Sequence, residues 1–140
     1  MARTMLAVVF GILIAGSVIA AAWYASAHVY PLPDQANFAT PESLSIYAAG
    51  TPAMALVWIL IGWAAGGFAG GGTAARIARA QGGGAALTVG ALLTTVVIVY
   101  ARLIPNSEWV TVIGILLPLP CATMGALLAM RRRHAAGRGV

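Results

Sequence analysis

PAMALVWILIGWAAGGFAGGGTAA, residues 52–75, runs without one charged side chain. A helix needs about 20 apolar residues to cross the roughly 30 Å hydrocarbon core of a bilayer. This stretch meets that length. Within it Gly62, Gly66, Gly70 and Ala74 recur every four residues, and Gly67 and Gly71 form a second such pair. A helix places them on one bare stripe, and a stripe without side chains lets another backbone come close. Apolar burial does not drive helices together in lipid, so close packing has to. Two partners for the stripe stay open: a helix of the same bundle, or another subunit. A phosphate-binding loop does not fit. The glycines lie inside an apolar span and no Gly-Lys-Ser/Thr follows.

Three further stretches have the same character, at about 5–27, 85–104 and 109–130. Helices are the form expected of them, because an open sheet would leave backbone groups unpaired in lipid. The runs are also too continuous for barrel strands, which alternate over about 10 residues. The chain as a whole is 61% hydrophobic and 8% charged, against about 25% charged in soluble domains. So few charges cannot clothe a water-facing surface. The expected fold is an all-α, integral membrane four-helix bundle, a single transmembrane domain over residues 1–140.

The net charge of +5 might suggest a nucleic-acid partner. The placement of the arginines excludes it. Arg3 precedes the first span, Arg76 and Arg79 separate the second and third, and Arg131, Arg132, Arg133 and Arg138 follow the fourth. Arg102 alone falls on the other side, near Glu108, and Asp34 and Glu42 lie on that side too. Arginine excess marks the cytoplasmic face. Both termini are therefore expected inside, with Arg3, Arg76, Arg79, Arg131, Arg132 and Arg133 as cytoplasmic anchors. Trp23, Tyr24, Tyr30, Trp58, Tyr100 and Trp109 fall near the outer boundary, where a ring with one wet end is favoured. The Ala/Gly/Arg-rich, lysine-free composition points to a GC-rich bacterial genome and hence to the inner membrane. Arg3, an apolar run and Ala25-Ser26-Ala27 also imitate a secretory signal. The run exceeds the usual 7–15-residue signal core, so an uncleaved first helix is expected.

The 28–51 connection is the one sizeable loop, and Pro31, Pro33, Asp34 and Gln35 start it as extended or turning chain. Thr40 reads as an N-cap, Pro41 as the first helical residue and Glu42 as a first-turn acid. A short helix at the outer interface is expected there, ending near Gly50. Gln81-Gly82-Gly83-Gly84 reads as a flexible turn, and Asn106-Ser107-Glu108 as a tight one after Pro105. Gly16 precedes Pro31 by the same interval as Gly90 precedes Pro105. That suggests two helical hairpins related by duplication, with chance similarity between apolar runs as the rival.

Chemistry has few candidates. Pro118 and Pro120 interrupt the fourth span and free the carbonyls of Gly114 and Leu116. The kink is either a packing device or a mid-membrane solute site. His28, Arg102 and Glu108 are outer-interface polar groups, read first as anchors. One cysteine, Cys121, rules out an intrachain disulfide, and His28 and His134 lie too far apart in sequence to suggest a metal framework. No catalytic set, cofactor or metal site is expected, since acid–base catalysis needs titratable groups in one pocket.

His28, Tyr30-Pro31, the Ala74-Ala75-Arg76-Ile77-Ala78 end of the second span and Leu116-Leu117-Pro118-Leu119-Pro120 resemble a group of uncharacterised small four-helix bacterial inner-membrane proteins. The resemblance covers most of the chain through loose motifs. It implies the fold and the location, and no activity. The function expected is that of a non-catalytic structural or accessory subunit. Membrane lipids and a homo-oligomer or larger membrane complex would be its partners. The alternative is a small channel or carrier for a neutral or lipid-like solute at the proline break.

Overall fold

The computed structural model describes residues 2–31, 40–104 and 108–136. Helices α1 (Ala2–Val29), α2 (Pro41–Gly50), α3 (Ala53–Ala78), α4 (Gly82–Leu103), α5 (Glu108–Leu116) and α6 (Pro118–Ala136) follow one another along the chain. Among the described residues there is no strand. The protein is all-α. Three segments are long and apolar enough to cross a membrane: Ala2–Val29, Ala53–Leu103 and Glu108–Arg132. The expected turn at Pro33–Gln35, the Pro105–Ser107 part of the outer turn, Arg138 and the side chain of Arg133 lie outside the described residues.

Helix α2 starts as its sequence suggests. Thr40 is extended, its hydroxyl accepts from the backbone N–H of Ser43 at 3.4 Å, and Pro41 opens the helix. The hydroxyl satisfies one N–H that lacks a partner in the first turn. The expected glycine turn at 81–84 takes another form. The reversal sits at Arg79, with φ 53° and ψ −100°, followed by a 3-10 turn over Arg79–Gln81. Gly82, Gly83 and Gly84 already belong to α4. Gly82 is spent on proximity, because a Cβ there would lie 2.9 Å from the Ala75 carbonyl oxygen. Two side chains from α1 close this end. Arg3 Nε donates to the Ile77 carbonyl at 2.9 Å, and Thr4 Oγ1 donates to Gln81 Oε1 at 2.6 Å. The first satisfies a carbonyl in the last turn of α3, where cations are also favoured by the helix dipole.

The middle of the molecule is α3. It packs on α1, α4 and α6, and three buried clusters surround it. Ala7, Ala15, Ala74, Ala78, Ala85, Val89 and Leu93 join α1, α3 and α4. Leu56, Leu60, Trp63, Val97 and Val110 join α3, α4 and α5. Ala75, Ala86, Ala126 and Ala129 join α3, α4 and α6. The core is mostly alanine, so the helices approach through their backbones rather than through interlocked large side chains.

The contacts also give direction. Gly11 meets Gly70 while Ala22 meets Gly62, so α1 and α3 are antiparallel. Gly67 meets Pro118 while Gly71 meets Ala122, so α3 and α6 are parallel. Ala75 beside Gly82 and Trp63 beside Tyr100 make α4 antiparallel to α3. Arg3, Arg76, Arg79, Arg131 and Arg132 therefore gather at one end of the helices. Trp23, Tyr24, Trp58, Tyr100 and Trp109 gather towards the other.

Candidate functional site

The glycine face of α3 divides between two partners within the chain. Gly62, Gly66 and Gly70 face α1. A Cβ at Gly62 would lie 2.9 Å from Ala22 Cβ, one at Gly66 3.0 Å from the Ala15 carbonyl oxygen, and one at Gly70 2.6 Å from the Gly11 carbonyl oxygen. Gly67 and Gly71 face α6. A Cβ at Gly67 would lie 3.0 Å from the Pro118 carbonyl oxygen, and one at Gly71 would collide with the Ala122 backbone. Ala74 is fully buried in the cluster shared with α1 and α4. Gly11 and Gly125 answer from the other side: added carbons there would strike Val89 and the Phe68 carbonyl.

Helix α5 ends at Leu116 and α6 begins at Pro118, so the expected kink falls at Leu117. Pro118 has no N–H to return to Gly114. The gap is walled. Pro118 is buried against Gly67, and the Trp63 ring lies so close over Gly114 that a side chain there would collide with it. Pro120 is exposed, and its carbonyl accepts from Thr123 Oγ1 at 2.8 Å.

Hydroxyls along the spans turn back on their own helices. Thr73 donates to Ala69 at 2.8 Å, and Thr88, Thr94 and Thr95 donate to Gly84, Gly90 and Ala91 at 3.0 Å each. This is the usual way a hydroxyl satisfies itself in lipid-facing helices. At the aromatic end, His28 Nδ1 lies 3.1 Å from the Tyr24 carbonyl oxygen, and the two ring centroids are 4.4 Å apart with the planes tilted by 50°. Arg102 and Glu108 are exposed at the same end. Among the described residues no group of three His, Cys, Asp or Glu side chains comes together.

A cavity of about 290 Å³ lies apart from the proline break. Gly16, Ala20 and Trp23 of α1, Gly62 and Trp63 of α3, and Val96 and Tyr100 of α4 are among its walls. It lies beyond the stretch in which α1 meets α4, where Ala7, Gly11 and Ala15 pack with Ala85, Val89 and Leu93. Beyond that crossing the two helices part. Trp63 forms the floor, 7% exposed and edge-on to Tyr100 at 5.6 Å between centroids. The sequence alone did not point to Trp63. A tryptophan deep in a span, away from the aromatic boundary, was the available signal.

Comparison with family models, curated proteins and solved structures finds no match. The class of the protein therefore rests on its own chain: an all-helical protein with helices of membrane-spanning length and apolarity.

Proposed function

We propose that this is a four-span integral membrane protein of a bacterial inner membrane, with both termini cytoplasmic. It acts without catalysis, as a structural or accessory subunit of a homo-oligomer or larger membrane complex. The span count follows from length. The Ala53–Leu103 segment has 51 residues, about 77 Å if it were one straight helix, against a core of about 30 Å. Folded back at Arg79, its two arms are about 39 and 33 Å long, and each suits one crossing. The arginine-rich end then faces the cytoplasm.

One observation carries the subunit reading. The central helix α3 is covered by α1, α4 and α6, and it leaves one strip bare: Met54, Ile61, Ala65 and Phe68, all exposed and spaced along a single helix face. The glycines are already used inside the chain, so this strip is the surface of α3 left for a partner. Ala65→Trp should shift the assembly in mild detergent towards the 14.3 kDa chain without unfolding it. A wild-type chain that already migrates alone contradicts the reading.

The break at Leu117 and the cavity beside Trp63 favour a second reading, a small carrier for a neutral or lipid-like solute. Purified protein in liposomes would then show selective flux, reduced in Pro118→Ala. Absence of flux across neutral and lipid-like solutes removes it.

A further inference from the structure

We infer that the cavity between α1 and α4 is a binding site for one acyl chain of a bilayer phospholipid. The inference rests on the membrane reading proposed above. Two kinds of small residue occur on α1. Gly11 is small because Val89 and Gly70 press on it, whereas a Cβ at Gly16 would meet nothing within 4 Å. With exposed Ala20 beside it, Gly16 lines a hollow rather than making a packing contact.

Shape and chemistry select the occupant. From Gly16 to Trp23 the hollow follows about 10 Å of helix, so its long axis lies along the spans, as acyl chains do. None of its lining residues is ionisable except Tyr100, and a charged ligand would lose its hydration there without an opposite charge. Its side is open: Gly16, Ala20, Trp23 and Val96 are all exposed, and in a bilayer that side meets lipid. Cavities for small ligands begin at about 300 Å³, which suits a single flexible chain. Trp23 and Tyr100 stand at the end nearer the outer boundary, where amphipathic rings meet headgroups.

The test uses the full chain in phosphatidylethanolamine vesicles doped with the same lipid carrying a diazirine in one acyl chain. After irradiation, adducts are mapped by mass spectrometry. The expected result is several-fold more adduct on residues 16–23 and 96–100 than on the exposed outer residues Leu13 and Leu127. Gly16→Leu, which fills open space without a backbone clash, should remove that excess and leave the adducts at Leu127. Adducts spread evenly over all exposed positions, or an excess untouched by Gly16→Leu, overturn the site and leave the membrane reading standing. No adduct at any position overturns both.

Discussion

Gly71 and Gly16 share a chemical identity and differ in what surrounds them, so alanine should separate them. At Gly71 the added methyl meets the backbone of Ala122, which cannot turn aside as a side chain could. Overpacking of this kind costs about 1–3 kcal/mol. Gly71→Ala and Gly125→Ala should lower the thermal midpoint in detergent, while Gly16→Ala and Gly83→Ala leave it unchanged or raise it. At the open sites alanine removes backbone freedom worth about 0.5–1 kcal/mol. Equal loss at both kinds of site would mean that the α3–α6 approach is looser than described. Arg79 follows similar logic in reverse. Its positive φ is unfavourable for any residue with a Cβ, and Arg79→Gly should stabilise the α3–α4 reversal by about 1 kcal/mol, read from the same melting curve.

Among the elements, α5 packs on α4 and meets α3 through Trp63. The ring fills the space over Gly114 and stands edge-on to Tyr100. Trp63→Ala should cost about 3–5 kcal/mol, the usual range for emptying a buried aromatic site, and should free α5 first. Faster hydrogen exchange in residues 108–116 than in α1 would show this. Uniform protection across the helices would contradict it. This is also the scale at which the sequence stopped being legible. The long apolar helices could be read because length and apolarity are properties of the chain alone. The Thr40-Pro41-Glu42 start of α2 could be read because capping is local. The turn at Arg79 could not, because three following glycines look like a loop until Ala75 is known to press on Gly82. Nor does periodicity tell which glycines face α1 and which face α6, since partner choice is tertiary. The suggested duplication meets the same limit. Gly90 lies 3.2 Å, by its would-be Cβ, from Leu119 and Ala122, while its counterpart Gly16 faces open space.

At the scale of the molecule, everything depends on α3 and α4 being two crossings joined at Arg79. Helix directions then place Thr4, Gln81 and Ala135 at one end, and Thr40 and Glu108 at the other. The direct measurement places single cysteines at Gln81, Ala135, Thr40 and Glu108 in a Cys121→Ala background and exposes intact cells to a membrane-impermeant maleimide. Thr40→Cys and Glu108→Cys should react in intact cells, and Gln81→Cys and Ala135→Cys only after the membrane is opened. Reaction of Gln81→Cys in intact cells, on the same side as Thr40→Cys, would contradict the four-crossing account.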